Sequence, residues 1–288
     1  MLKMVGNFGV VACTIGGYVA MGGKLGVLNQ PFELVIILGS AMAAFVIANS
    51  AHTIKASLAD LKNIYKKDKY GKEEYLELLS MLYTVFKVAR TKGWLALENH
   101  IEEPDNSEIF LQFPSFHSNH HAVTFLCDYL RIISLGSENP HELEALMDAE
   151  IDTLTEEKMH SSHAVQTLAD GLPALGIVAA VLGIIKTMGS ITEPPEILGK
   201  LIGGALVGTF LGVWLSYGFV APMASAIAER NSAELKYYHS IKVSILAFLQ
   251  GAAPQVAVEF GRKVLMHGSQ PTFLEVEEAT QNVTLPSA

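Results

Sequence analysis

The sequence predicts an all-α integral membrane protein with four transmembrane helices in two hairpins and a helical cytoplasmic domain. Half of the 288 residues are hydrophobic, and only 17% are charged, against roughly 25% in an average soluble domain. The charged residues are also unevenly distributed, because long uncharged runs flank a polar middle segment. Composition therefore indicates a membrane protein before any motif is considered.

Four runs with few or no charges are long enough to cross a bilayer; they are residues 4–23, 34–54, 171–190 and 201–228. An apolar core of about 30 Å requires about 20 helical residues. The third run carries Lys186, whose side chain we expect to reach the interface. The first run is too long for a signal-peptide core and lacks a convincing cleavage site, so we expect a retained helix.

The positions of lysine and arginine predict the orientation of the chain. The connection between the first two runs holds one basic residue, whereas several basic residues follow the second and the fourth runs. Those after the second run are Lys55, Lys62, Lys66, Lys67, Lys69 and Lys72, and those after the fourth are Arg230, Lys236 and Lys242. Both termini and the long middle segment are therefore expected in the cytoplasm. The expected domains are membrane helices 1 and 2 (1–54), a cytoplasmic domain (55–167), membrane helices 3 and 4 (168–228) and a cytoplasmic C-terminal helix and tail (229–288).

The cytoplasmic segment is predicted to be helical because its apolar residues recur with helical spacing; they are Tyr75, Leu78, Leu79, Leu82, Tyr83, Phe86 and Ala89. Gly93 is expected to end this helix. Asn139-Pro140 has the pattern of a helix start, with a capping residue before a proline. No strong helix breaker follows before Gly171, so this helix is expected to continue into the third span.

Several functional classes have no support in the sequence. The net charge is −9, and the lysines and arginines form no basic stripe. Both observations disfavour nucleic acid as a partner. The two cysteines, Cys13 and Cys127, form no metal-binding or redox motif. The loop histidines His117, His120 and His121 lack supporting carboxylates. No phosphate loop, nucleophile elbow or HExxH motif occurs, so we expect no enzyme, no metal and no cofactor.

Small residues form a stripe on the third span, at Pro173, Gly176, Ala180, Gly183 and Thr187. Gly204, Gly208 and Gly212 form a double GxxxG on the fourth. Small residues let helix backbones approach closely in lipid. These stripes predict either tight helix packing alone or a smooth surface past which another helix slides.

Both spans also contain a proline, Pro173 and Pro222, which could end a helix or act as a hinge. Residues 171–185 and 201–228 contain no ionisable side chain except the phenol of Tyr217; Thr209 and Ser216 add hydroxyl groups. An ion pathway usually needs an ionisable group at membrane depth. If the protein conducts ions, a partner should supply the carboxylate.

Five stretches occur in the order of one known family: GGYVAMGGKLGVLNQPFELVIILGSAM, ARTKGWLALENHIEEP, DGLPALGIVAAVLGIIKTMGS, GGALVGTFLGVWLSYGFVAPMA and VAVEFGRK. Over essentially its whole length, the chain resembles the MotA-like stator subunits of the bacterial flagellar motor, in the MotA/TolQ/ExbB proton channel family. This resemblance implies a homopentameric ring in the bacterial inner membrane, around two MotB-like chains that supply a membrane aspartate and a peptidoglycan anchor. Ion flow would then drive torque on the rotor protein FliG.

The resemblance also implies roles for particular residues. Pro173 and Pro222 match the functional prolines of the pore helices, and Thr209 and Tyr217 fall in the pore-lining motif. Arg90 and Glu98 match the charges that contact FliG. Asp170 is either a carboxylate at the pore mouth or a residue with a capping or loop role.

Ala180 bears on the transported ion, because sodium-driven relatives tend to have threonine there. Sodium needs oxygen ligands, so protons are favoured over sodium, although Thr209 offers one hydroxyl. Two other functions stay open. One is an ExbB/TolQ-type subunit energising outer-membrane processes, which normally has three spans. The other is a scaffold that does not conduct.

Overall fold

The computed structural model describes residues 2–66, 69–137 and 139–283, and these ranges contain helices and no strand. The α-helices are α1 (Leu2–Ala20), α2 (Leu25–Leu28), α3 (Pro31–Leu34), α4 (Ser40–Ala48), α5 (Ala51–Asn63), α6 (Lys72–Lys92), α7 (Glu98–Glu102), α8 (Pro114–His117), α9 (His120–Ser134), α10 (Pro140–Met188), α11 (Pro195–Leu215), α12 (Ala221–Leu249), α13 (Pro254–Lys263) and α14 (Phe273–Gln281). Short 3₁₀ turns lie at Trp94–Leu97, Pro104–Asn106 and Phe110–Gln112.

Four helical segments are long and apolar enough to cross a membrane: Leu2–Ala20, Leu25–Ala48, and parts of Pro140–Met188 and Pro195–Leu249. The chain is therefore a multi-pass membrane protein. The charge pattern predicts that the second span begins at residue 34. In the structure the second segment begins at Leu25 and therefore includes Glu33. The short helices α2 and α3 extend the span, since Pro31 occupies the first turn of α3, where a proline is well tolerated.

The chain folds as two compact units, residues 1–67 with 157–229 and residues 68–156 with 230–288. Residues 55–66 and 157–167, which the sequence assigned to the cytoplasmic domain, belong to the first unit. Contacts between α5 and α10 explain this placement. The Ser161 hydroxyl donates to Asp60 Oδ2 at 2.6 Å, and Ile64 is buried in a cluster with Val165.

The second unit encloses an aromatic and aliphatic core. Tyr75, Leu78, Leu79, Leu82 and Phe86 are fully buried, which confirms the helical period in that part of the sequence. The rings of Phe86 and Phe248 stack with centroids 4.7 Å apart. Burial of these aromatic and aliphatic side chains away from water stabilises this unit.

Helix α10 is continuous from Pro140 to Met188 with Pro173 inside it, which confirms the predicted uninterrupted run. Two π-helical turns were not predicted, at Val35–Gly39 and Ser216–Val220. The second ends just before Ala221-Pro222. A π turn inserts one residue into the helical register and is often found at functional sites. Hydrophobic periodicity does not reveal such single insertions.

Candidate functional site

Helices α10 and α11 approach each other at backbone distance in the first unit. A Cβ atom placed on Gly212 would lie 2.6 Å from the Leu172 carbonyl oxygen and 2.8 Å from Gly176 Cα. A Cβ on Gly176 would lie 2.8 Å from the Gly208 carbonyl oxygen. No side chain fits at these distances, so glycine is required on both helices.

The same contact continues along both helices. A Cβ on Gly183 would lie 2.7 Å from Ala205 Cβ, and a Cβ on Gly208 would lie 3.1 Å from the Ala180 backbone nitrogen. Gly204 differs from the other glycines, because a Cβ there would meet Gln30 Nε2 at 2.9 Å. Four of the five glycines of the predicted packing face therefore lie between α10 and α11, and Gly204 lies against the second span.

Hydroxyl groups around this contact bond to the backbone. Thr187 Oγ1 donates to the Gly183 carbonyl at 2.8 Å, and the buried Ser216 donates to the Ala169 carbonyl at 2.6 Å. These bonds satisfy polar groups that would be costly to leave unpaired in lipid. Thr209 is half-buried.

The predicted pore residues do not share one face within a single chain. Ala180 is buried beside Gly208 in the α10–α11 contact. Tyr217 is 67% exposed, and it lines a separate cavity together with Pro222. Pro173 is half-buried. Asp170 is exposed and accepts a hydrogen bond from Gln166 Nε2 at 2.8 Å.

Glu33 was not a predicted site residue, yet its carboxylate lies beside the glycine contact. Its Oε1 atom is 3.7 Å from the position of a Cβ on Gly183. Its Oε2 atom is buried and has no hydrogen-bond partner within the described ranges. The charge pattern places Glu33 at the edge of the second run, whereas the structure includes it in the second membrane-span segment. The first unit thus carries one carboxylate against the α10–α11 pair.

Arg90 and Glu98 lie on the surface of the second unit, on either side of a sharp turn. Both side chains are exposed, and neither forms a salt bridge in the part of the chain that the structure describes. The Arg90 guanidinium lies over the Phe248 ring, 6.0 Å from its centroid. Gly93 makes the turn with φ +83° and ψ 168°, a conformation that other residues rarely adopt.

A charged cluster lies one helical turn beyond Glu98. Arg131 donates to Glu102 Oε1 at 2.7 Å and to Asp128 Oδ1 at 2.8 Å. The hydrogen bond from Arg131 lowers the pKa of Glu102. These three charges satisfy one another, whereas Arg90 and Glu98 are available to a partner.

Two histidines of this unit lie close to polar side chains. His117 Nε2 lies 3.8 Å from Asp105 Oδ1, and His100 Nδ1 forms a hydrogen bond with Ser107 Oγ at 2.9 Å. Burial lowers the pKa of His100. Within the described ranges, no three His, Cys, Asp or Glu side chains are grouped as a metal would require.

Comparisons with known proteins agree with this architecture. Residues 4–93 match the family "Motility protein A N-terminal", and residues 119–240 match the "MotA/TolQ/ExbB proton channel family". Motility protein A of Escherichia coli K12 is 41% identical over 286 residues, covering 99% of this chain and 97% of that protein. Chemotaxis protein LafT of Vibrio parahaemolyticus is 34% identical, with 96% of this chain and 98% of LafT covered.

Two solved structures share the fold. The MotAB structure of C. jejuni matches with a TM-score of 0.76 and 20% identity, covering 92% of this chain and 95% of that one. The flagellar MotAB stator complex of Bacillus subtilis matches with a TM-score of 0.75 and 24% identity, covering 93% and 98%. Because the relatives extend over nearly the full length, the chain belongs to the motility protein A group of the MotA/TolQ/ExbB proton channel family.

Proposed function

We propose that this chain is a stator subunit of the bacterial flagellar motor, which couples proton flow to torque on the rotor protein FliG. The full-length similarity to motility protein A supports this function. The shared fold with MotAB complexes supports a MotB-like partner. That partner supplies the membrane aspartate and the peptidoglycan anchor.

The observation that carries the proposal is the glycine contact between α10 and α11. It forms a narrow, closely packed helix pair, and residues 171–185 and 201–228 carry no Asp, Glu, Lys, Arg or His. Glu33 of the second span lies beside Gly183 at one point of this contact, but the two helices themselves present an apolar wall there. A partner's carboxylate brought against that wall is costly while charged and much less costly once protonated. Protonation of the partner's aspartate therefore allows the partner's membrane helix to move along the α10–α11 pair.

The assembly that suits this mechanism is a ring of five copies around two partner chains, in the inner membrane with both termini in the cytoplasm. Lysines after the second span support this orientation. Protons are the transported ion, because Ala180 offers no oxygen ligand to sodium.

The proton pathway follows Thr209 and Tyr217 towards the prolines, with Asp170 near its cytoplasmic end. Pro173 lies inside α10, and Pro222 follows a π turn directly, so both helices are locally adaptable there. Pro173→Leu is expected to assemble with the partner but fail to turn the motor. Normal swimming with this variant would contradict a hinge at Pro173.

The rotor contact is formed by Arg90 and Glu98. Both charges are exposed and lie on either side of the turn that Gly93 makes. Exposed charges contribute to orientation and association rate more than to affinity. This suits a surface that engages and releases FliG at every step.

Swimming of a bacterium that lacks its own stator tests the proposal. Expression of this chain with its MotB-like partner is expected to restore swimming, and Arg90→Glu is expected to abolish it while membrane levels stay normal. Lys263→Glu is the matched control, because Lys263 is another exposed cation of the same unit. Restored outer-membrane uptake without swimming would instead indicate an ExbB/TolQ-type function.

A further inference from the structure

The first unit contains a cavity of about 270 Å³ to which the proposed motor mechanism assigns no ligand, although Tyr217 and Pro222 of the proposed proton pathway line one side of it. Helix α1, the segment after α5, the π turn and the start of α12 surround it. Residues from one end of α1 line it, including Lys3, Gly6 and Asn7. The cavity therefore lies near the end of a membrane span.

The walls of this cavity have two different characters. Val10, Ile64 and Met223 provide apolar surface. The polar residues of the lining include Lys3, Asn7 and Tyr65, and the Asn7 side-chain amide donates to the Tyr65 hydroxyl at 2.8 Å. The residues that line the cavity include a cation and, among those the structure describes, no carboxylate.

This arrangement matches the boundary between water and lipid. Lys3 is in the first turn of α1, the first membrane span, whereas Val10 is two turns further into it. Helix α5 begins just after the second span and carries Lys55 and Lys62. Positively charged residues beside a membrane span attract anionic lipid headgroups.

We propose that this cavity binds a phospholipid with an anionic headgroup. The phosphate contacts Lys3 and the Asn7–Tyr65 pair, and an acyl chain lies against Val10, Ile64 and Met223. Charge complementarity favours this occupant over a second copy of the chain, because the lining presents a cation beside an apolar wall. The bound lipid also contacts Tyr217 and Pro222, which line the same cavity. Lipid composition therefore acts on the π turn at Ser216–Val220.

Photo-cross-linking of the full chain in phosphatidylcholine vesicles tests this site. A small fraction of phosphatidylglycerol carrying a diazirine on its acyl chain is compared with the same fraction of diazirine-labelled phosphatidylcholine. We expect the phosphatidylglycerol probe to label peptides around the cavity about fivefold more than the phosphatidylcholine probe. This ratio corresponds to roughly 1 kcal/mol for one lysine near an anionic lipid headgroup. Lys3→Gln is expected to remove this preference, whereas Lys24→Gln is expected to retain it.

Filling the cavity provides a second, independent variant. A Cβ on Gly6 meets no atom within 4 Å, so Gly6→Leu is expected to occupy the cavity without breaking the fold and to abolish labelling there. Gly9→Leu is the matched control, because Gly9 has equal space but does not line the cavity. Equal labelling by both lipids, or unchanged labelling of Gly6→Leu, would overturn the proposal.

Discussion

The two units of the molecule are packed by opposite means. In the first unit, α10 and α11 meet through glycines, with Gly176 and Gly212 so close that a Cβ on Gly212 would lie 2.8 Å from Gly176 Cα. In the second unit, large side chains fill the interior, as in the stacked rings of Phe86 and Phe248. One chain thus contains both a backbone-to-backbone contact and an aromatic core.

The surroundings of each unit explain the difference. Water drives large apolar side chains together in the second unit. Lipid is itself apolar, so the membrane helices gain little from burying large side chains and associate through close van der Waals packing instead. We therefore expect that adding atoms at the α10–α11 glycine contact destabilises the first unit, whereas removing atoms from the core destabilises the second unit.

Removal of a core ring should have the largest effect. Phe86→Ala leaves a cavity in the fully buried core of the second unit and is expected to lower the free energy of unfolding by about 3–5 kcal/mol. Leu111→Ala is the control, because Leu111 is 54% exposed. Thermal unfolding of the full chain in detergent measures both, and equal midpoints would contradict the assigned core.

Addition of one methyl group tests the membrane unit. Gly176→Ala places a Cβ 2.8 Å from the Gly208 carbonyl oxygen, so we expect a destabilisation of about 1–3 kcal/mol and loss of swimming. Gly171→Ala lies on the same helix, where a Cβ meets no atom within 4 Å. Thermal unfolding and swim-plate diameter should separate the pair; similar behaviour would show that the helices are not in backbone contact.

A substitution in the turn between Arg90 and Glu98 should destabilise the protein by a similar or smaller amount than Gly176→Ala. Gly93→Ala forces a side chain into positive φ at +83°, at a cost of about 1–3 kcal/mol. Gly268→Ala has open space and ordinary φ, so its stability should be unchanged. Swimming speed should fall for the first variant alone, and equal speeds would argue against a role for this turn in the rotor contact.

The smallest expected effect depends on pH. Glu275 accepts hydrogen bonds from Lys72, at 2.7 Å, and from the backbone and hydroxyl of Thr272; together they lower its pKa to about 2 from a usual 4.5. A carboxylate with a lowered pKa stabilises the fold above its usual pKa and loses that contribution as the pH falls towards its folded value. Glu275→Gln should therefore be less stable than wild type at pH 6, and the difference should vanish near pH 2.

Unfolding midpoints across this pH range measure the difference directly. Glu278→Gln provides the control, because Glu278 is an exposed carboxylate of the same helix. A difference that stayed constant down to pH 2 would show that the Glu275 charge has no part in it.

Much of this architecture could be predicted from sequence. The helical period of Tyr75 to Phe86 predicted the core of the second unit, because apolar residues at this spacing lie on one face of a helix and that face packs into the core. The GxxxG pattern indicated a closely packed fourth span. It did not reveal which glycines would meet which partner, because that depends on helix register; Gly204 packs on Gln30 instead of α10.

Features that depend on tertiary contact were missed. The charge pattern places Glu33 at the edge of a span, but its carboxylate lies beside Gly183. The π turn before Pro222 inserts one residue without changing the hydrophobic pattern. The predicted pore residues Ala180 and Tyr217 also lie on different faces of the folded chain, which residue types alone could not show.

In the proposed mechanism, this chain forms the wall of a proton channel whose carboxylate comes from a partner. The most direct measurement is cytoplasmic acidification when the chain is co-expressed with a MotB-like partner that lacks its plug segment. We predict acidification that disappears when the partner's membrane aspartate is changed to asparagine. Acidification that persists with asparagine, or a sodium-dependent effect without acidification, would contradict the account.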